Sequence, residues 1–291
     1  MNLEHEPLEE SAPLACNLAP ERCHVDPSTG ESCAWYHGLW QILRIMRLVE
    51  SPDYHAAFFR DAFRAIGAGG SPPRLLVSGS ADYGMLAQVL SAFRGTGIEP
   101  EITVIDRCET PLALNRWYAA RFGVAIETSC CDLLDFESGR PFDAICTHAL
   151  FGRFSPGERV ALLAKWRSLL RPGGAVVTVS PLRPGNDARM AAFAPDQILA
   201  FRAAVEVIAQ RAGDSRWPEP DQLARAAETY ARRHHVHPVR SLEELRALFE
   251  GAGFRLQELS QVPAVSDVRY RINGPTIVGC ADYARIVAVR T

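Results

Sequence analysis

The sequence predicts an α/β protein: a doubly wound, mostly parallel seven-stranded sheet with an antiparallel last strand, plus a helical cap and lid. Three observations predict it. Between residues 74 and 180, short apolar runs alternate with stretches of helical periodicity through five strands. The first run, RLLVSG, enters a helix through a glycine-bearing turn, as strands of such sheets do at their carboxyl ends. Near the end of the chain, a helix, a strand, a looser stretch and a last strand follow one another. The missing helix between those two strands is the mark of a hairpin, which sets one strand antiparallel.

In chain order, residues 1–32 carry Pro7, Pro13, Pro20 and Pro27 among polar residues and are expected to form an extended or mobile arm. Residues 33–70 form an N-terminal helical cap, with apolar positions at helical spacing in SCAWYHGLWQILRIMRLVE and YHAAFFRDAFRAIG. The first of these is apolar almost all round and must be buried. The sheet core follows over residues 71–180. RLLVSG is a strand, YGMLAQVLSAFRG a helix and EITVID the second strand. Thr110 and Pro111 start the helix PLALNRWYAARFG, which stops at Gly123. VAIETSCCD and PFDAICTHALF are the third and fourth strands. Ser155, Pro156 and Glu158 make a capping box for GERVALLAKWRSLL, and RPGG separates that helix from the strand AVVTVS. Residues 181–240 interrupt the alternation with helical stretches near 195–211 and 220–233, read as an inserted lid or substrate region. The core resumes over 241–291: Ser241 and Glu244 cap LEELRALFEGAG, then FRLQELS and DYARIVAVRT close the sheet.

The bulk chemistry narrows the function. With 291 residues and 47% apolar composition the chain can bury a sizeable core, and a net charge of -3 gives no electrostatic case for nucleic acid. No apolar stretch approaches the roughly 18 residues of a membrane span. MNLEHEPLEE is acidic and lacks the apolar run of a secretory signal, so a cytoplasmic location with no membrane partner is expected. Eight cysteines include no Cys-x-x-Cys pair. The spacing of Cys16, Cys23, His24 and Cys33 matches no common zinc module, so no metal site is expected and the thiols read as small buried hydrophobes. His234, His235 and His237 read as a basic helix end. Oligomeric state leaves no mark in the sequence.

In an open α/β sheet, ligands bind outside the carboxyl ends of the strands. That rule selects the turn Gly79–Gly84, Asp106 after the second strand, Asp132 after the third, and Thr147–Phe151 after the fourth. A carboxylate at the position of Asp106 can accept from both hydroxyls of a ribose, or cap the helix that follows. Asp132 can accept from an adenine amino group or cap its own turn. A Cβ at Gly79 would stand between backbone and ligand.

The series LLVSGSADYG, ITVIDR, CCDLLDF, FDAICTHALF, LLRPGGAVVTVS, LFEGAGFRLQEL and YARIVAVRT resembles the class I S-adenosylmethionine-dependent methyltransferases over roughly residues 74–180 and 241–291. The resemblance implies that Gly79, Ser80, Ala81, Asp82, Tyr83 and Gly84 face the methionine part of the cofactor. It sets Asp106 with Arg107 at the ribose and Asp132 with Leu133 at the adenine. The chain departs from the family at Val77, where an acidic residue is usual, and at Ala81 and Tyr83, where glycine is usual. Asp82 then takes the methionine ammonium, or the amino-acid end is held differently. His148, just past the fourth strand, is the candidate catalytic base and a further cofactor contact. Tyr36 is a second catalytic candidate, since an aromatic face attracts a sulfonium cation. Trp35, His37 and Phe151 are candidate substrate contacts. Tyr230, Tyr270, Trp217 and the run 232–237 belong to an acceptor pocket or to an ordinary lid surface.

The function implied is in-line transfer of the methyl group of S-adenosylmethionine to a small-molecule acceptor, releasing S-adenosylhomocysteine. Two alternatives use the same fold. One is cyclisation of the cofactor's own aminobutyryl chain, releasing methylthioadenosine; the other is a non-catalytic S-adenosylmethionine-binding protein. A nicotinamide enzyme fits poorly, because Gly-x-Gly-x-x-Gly is absent and Asp106 lies farther from Gly79 than the about 20 residues of that fingerprint.

Overall fold

The computed structural model describes residues 6–185, 189–264, 274–275 and 281–291. Tyr270 and Cys280 lie outside the described residues. The chain opens with α1 (Leu8–Arg22), α2 (Ala34–Ile45) and α3 (Ala56–Gly67). Strands and helices then alternate: β1 (Arg74–Ser78), α4 (Gly84–Phe93), β2 (Glu101–Asp106), α5 (Glu109–Arg121), β3 (Glu127–Cys130), β4 (Phe142–His148), α6 (Pro156–Leu169) and β5 (Leu170–Leu182). The insertion contributes β6 (Ala191–Ala192), α7 (Pro195–Ala212), α8 (Pro220–Arg233) and β7 (His235–Val236). The chain finishes with α9 (Leu242–Gly251), β8 (Phe254–Val262) and β9 (Asp282–Arg290).

The main sheet has seven strands in the order β3-β2-β1-β4-β5-β9-β8. The strands β1 to β5 run parallel, and β9 is antiparallel to both β5 and β8. The predicted fold class is therefore the observed one. Both faces of the sheet are covered, as the alternation along β1 shows. Leu75 and Val77 join a core with α3, α4 and α5, whereas Leu76 points into a second core with α6 and α9. The strand order reverses between β1 and β4, which puts the topological switch point at the turn after β1.

Two features of the periphery differ from expectation. Residues 8–22 are a helix rather than an extended arm, despite Pro13 and Pro20 inside it. Its buried stripe is Ser11, Ala12, Ala15 and Ala19, small residues that carry no amphipathic signal. They let α1 lie close on α2, where a Cβ added at Gly38 would stand 3.3 Å from Ala19 Cβ. Tertiary packing overrides the proline-rich text. Secondly, the cap and the lid share one core. Leu39, Trp40 and Leu43 of α2 pack with Phe201 and Val205 of α7 and with Leu223, Ala227 and Tyr230 of α8. The insertion is thus a continuation of the N-terminal cap, closed at its base by the β6–β7 ribbon.

Candidate functional site

A cleft of about 310 Å³ opens at the carboxyl ends of β1, β2 and β4. Its floor is Gly79, Ser80, Ala81, Asp82, Asp106 and His148. Trp35, Tyr36 and Trp40 of α2 line one side, and Arg153, His234 and His237 another. This volume lies at the low end of the roughly 300–1,000 Å³ of small-molecule sites.

The turn after β1 is held from several directions. Gly79 has φ +73°, and a Cβ there would meet Leu150 Cδ1 at 3.0 Å. Ser80 N donates to Asp106 Oδ2 at 2.9 Å, and Cys108 N donates to Asp106 Oδ1 at 2.8 Å. Each Asp106 oxygen keeps a second lone pair for a ligand. Burial pushes the Asp106 carboxyl up, while the charge of His37 and the two amide bonds pull it back down. Asn115 Nδ2 reaches Ser80 Oγ at 3.2 Å and the Asp82 carbonyl at 3.3 Å, and Ser80 Oγ itself donates to that carbonyl.

Asp82 is buried and already engaged. Its Oδ1 accepts from Gly84 N at 2.8 Å, which caps α4. Its Oδ2 accepts from Arg44 Nη1 at 2.8 Å and from Gln41 Nε2 at 3.3 Å. Arg44 also pairs with Glu6 at 2.8 Å and with Asp53 at 3.2 Å. Tyr83 turns away from the cleft: its ring stacks on Tyr118 at 4.4 Å and its hydroxyl meets Ser11 Oγ at 2.8 Å. Gly84 begins α4 behind the floor, 3.1 Å (from a notional Cβ) to Asp82 Oδ1.

Other candidates divide between cleft, rim and core. His148 lines the cleft, and its buried Nε2 has no hydrogen-bond partner. Burial, then the neighbouring charges of His55 and Arg44, hold this imidazole well below its ordinary range, so it is neutral at pH 7. Tyr36 stacks on Trp40 at 5.2 Å and on His234 at 6.0 Å, with the Arg153 guanidinium 4.9 Å over its ring. Burial pushes its phenol up, against the charge of Arg153, so it too stays protonated. Trp35 sits edge-on to Tyr36 at 5.8 Å. His37 lines the cleft, yet its Nδ1 faces Cys23 Sγ at 3.4 Å. Arg107 and Asp132 form a 3.5 Å ion pair at the rim, and Asp132 Oδ1 accepts from Leu134 N at 2.9 Å. Neither lines the cleft, and Leu133 is packed in the core behind it. Phe151, expected as a substrate contact, is fully buried between Trp166 and Phe249, because the turn after β4 folds it inward.

The structure adds residues that the sequence did not single out. Glu50 lines the cleft, buried, with neither carboxylate oxygen hydrogen-bonded and His55 Nε2 at 3.3 Å. No periodicity or motif marks it, since it follows the end of an apolar helix. Trp40 and Arg153 also line the cleft. His234, expected at a basic helix end or in an acceptor pocket, is instead a buried cleft residue that stacks on Tyr230 at 4.9 Å and has no hydrogen-bond partner on either nitrogen. Its signal was present: it stands four residues after Tyr230, continuing the apolar face of α8.

No family model matches the sequence, and no curated protein matches it. Among solved structures, the chain is similar to 1,6-didemethyltoxoflavin-N1-methyltransferase of Burkholderia thailandensis, solved with 1,6-didemethyltoxoflavin and S-adenosylhomocysteine bound. The two share 18% identity, with 99% of this chain and 91% of that one covered at TM-score 0.52. It is also similar to the S-adenosylmethionine-dependent methyltransferase SibL in its apo form, at 15% identity over 88% of this chain and 58% of that one, TM-score 0.50. TehB of Haemophilus influenzae matches at 13% identity over 79% of this chain and 62% of that one, TM-score 0.48. The chain spans less than two thirds of SibL and of TehB. The first two likenesses establish the fold: the chain is folded as class I S-adenosylmethionine-dependent methyltransferases are. Among the described residues no helix is long and apolar enough to cross a membrane.

Proposed function

We propose that this cleft binds S-adenosylmethionine and directs its methyl group to a small-molecule acceptor. The observation that carries the reading is the union of Gly79 and Asp106 across the switch point, where the Ser80 amide fixes the carboxylate on the cleft floor. The residues present fit the cofactor. Gly79 lines the cleft with backbone in a left-handed turn, and Asp106 retains acceptor capacity for a diol. Glu50 offers a buried carboxylate free of hydrogen bonds, suited to an ammonium group, a role that Asp82 cannot fill while Arg44 and the Gly84 amide hold it. The bound cofactor would supply an electrophilic methyl carbon. The protein's own part is alignment and exclusion of water. Tyr36, Trp40 and Trp35 line the cleft as an aromatic wall, and such a wall attracts a cation. His148, neutral and unpartnered at Nε2, accepts a hydrogen bond from an acceptor and orients its lone pair.

Calorimetric titration with S-adenosylhomocysteine tests the binding site, and mass analysis of turnover tests the chemistry. Asp106→Asn should weaken binding roughly tenfold or more, the cost of about 1.5–3 kcal/mol for a hydrogen bond to a charged group. Turnover on an acceptor pool should release S-adenosylhomocysteine together with a product heavier by one methyl group. Equal affinity in the variant would remove the site, and methylthioadenosine as the product would replace methyl transfer by cyclisation.

A further inference from the structure

Four potential ligands from three separate segments converge beside the cleft. The Cys23, Cys33 and Cys108 sulfurs and a His37 ring nitrogen all lie within 4.8 Å of one another. Cys23 is the residue after α1, Cys33 the residue before α2, and Cys108 the residue before α5. His37 stands four residues after Cys33, one turn into α2 and therefore on the same side of it. The segment between Cys23 and Cys33 turns back on itself. Cys33 N donates to the His24 carbonyl at 3.2 Å, and Val25 bridges to Ser32. This hairpin is what brings the first two thiols together.

We propose that Cys23, Cys33, His37 Nδ1 and Cys108 form a structural zinc site. Bonds of about 2.3 Å to sulfur and about 2.0–2.1 Å to nitrogen set the ligand atoms of a tetrahedron roughly 3.5–3.8 Å apart. Cys33 Sγ and Cys108 Sγ are separated by 3.7 Å, and Cys23 Sγ and His37 Nδ1 by 3.4 Å. Those are tetrahedral edges, whereas a disulfide needs sulfurs about 2.05 Å apart. Three thiolates and an imidazole are a donor set that selects zinc over hard cations. Four protein ligands leave no open position, so the site is structural rather than catalytic.

The surroundings favour thiolates. Cys33 and Cys108 each precede a helix, where the positive end of the peptide dipole lies. On binding, the protons held by the three sulfurs and by any imidazolium form of His37 pass to solvent, the imidazole ligates as a neutral base, and three thiolates on Zn²⁺ leave one net negative charge. Cys16 takes no part: its thiol donates to the Gly38 carbonyl at 3.0 Å, and burial pushes it up to about 11. The ion would tie the α1–α2 hairpin to the loop that follows Asp106. Sequence spacing did not reveal the set because His37 and Cys108 complete it, and Cys108 lies far along the chain.

The test is independent of what the cleft binds. Elemental analysis of the full chain, purified in reductant with zinc supplied, should give about one zinc per chain. Cobalt titrated into the metal-stripped chain should produce the strong thiolate-to-cobalt absorption of a tetrahedral site, and equimolar zinc should erase it. Cys23→Ser and Cys108→Ser should retain less than about a fifth of the metal. Cys16→Ser should retain all of it. Circular dichroism reports whether the variants fold, and the cobalt spectrum of the unaltered chain needs no variant. Less than about a tenth of an equivalent of zinc with no cobalt band would overturn the proposal. So would zinc that survives joint replacement of Cys23 and Cys108, or iron with labile sulfide in its place.

Discussion

Arg44→Met should be among the most damaging single changes in the cap. The Arg44 side chain is 2% exposed and faces Asp82 at 2.8 Å and Glu6 at 2.8 Å, whose side chains are 3% and 9% exposed. With charge centres about 4 Å apart and an effective dielectric near 20, each pair is worth roughly 4 kcal/mol. Desolvation of the guanidinium and repulsion between the carboxylates offset much of that sum. Removing the cation alone leaves two buried carboxylates facing each other, a situation that costs about 3–5 kcal/mol. Methionine keeps most of the aliphatic volume, so the loss measured is chiefly electrostatic. The pH dependence supplies a sign. Glu6 is already raised by burial, and Arg44 is the main influence holding it down. Without Arg44 its carboxyl rises further above its unfolded value, so the variant recovers stability as pH falls from 7.5 towards 5. Urea unfolding at both pH values measures this. A loss below about 1 kcal/mol, or an equal loss at both, would refute the account of Arg44 as the counter-charge for Asp82 and Glu6.

Further expectations follow from the site and its walls. Gly79→Ala forces a side chain into a left-handed backbone and against Leu150, costing about 1–2 kcal/mol of stability. The same variant should bind S-adenosylhomocysteine more weakly than the parent, and unchanged calorimetric affinity would count against the turn as a cofactor wall. His148 and His234 are both held well below the ordinary imidazole range, chiefly by burial. Their folded values lie below the unfolded one, so the unfolded chain takes up protons first as pH falls through about 6.5. Stability present above that pH is then lost at up to about 1.4 kcal/mol per pH unit for each imidazole. His234→Gln should show a shallower fall of melting temperature between pH 6.5 and 5.5, and an unaltered slope would contradict its neutral burial.

The sheet was legible because its central strands β1, β2, β4 and β5 are buried on both faces and its turns carry glycine and caps. Ser155 with Glu158 and Ser241 with Glu244 mark α6 and α9 as the structure has them. Asp106 was legible for the same reason, standing at the end of a strand whose register is fixed by its neighbours. The rim was less so. Asp132 fitted equally an adenine contact and a turn cap, and its hydrogen bond to Leu134 N shows the cap in place. Phe151 was read as site-facing because sequence alone does not say which way a turn residue points. The core around Trp166 and Phe249 decided it.

Within the N-terminal cap, α1 and the long-range side-chain partners resisted reading for one physical reason: their order comes from partners distant in the chain. α1 is helical because Ala15 and Ala19 are small enough to dock on the rest of the cap, not because its own residues favour a helix. Arg44 reads as one more basic residue on an apolar helix until Asp82, 38 positions away, is seen beside it. Cys23 and Cys33 read as two unrelated thiols until Cys108 arrives from the far side of β2. The last two contacts join the cap to the turn after β1 and to the loop after Asp106, the two pieces of backbone that floor the cleft. The cap is therefore part of the site's construction. If so, loosening it at Arg44 should weaken ligand binding at Asp106, although Arg44 itself stands behind the wall and touches Asp82 rather than the cleft. Measured at a pH where the variant remains folded, equal affinity in Arg44→Met and in the parent would show that the sheet alone builds the site.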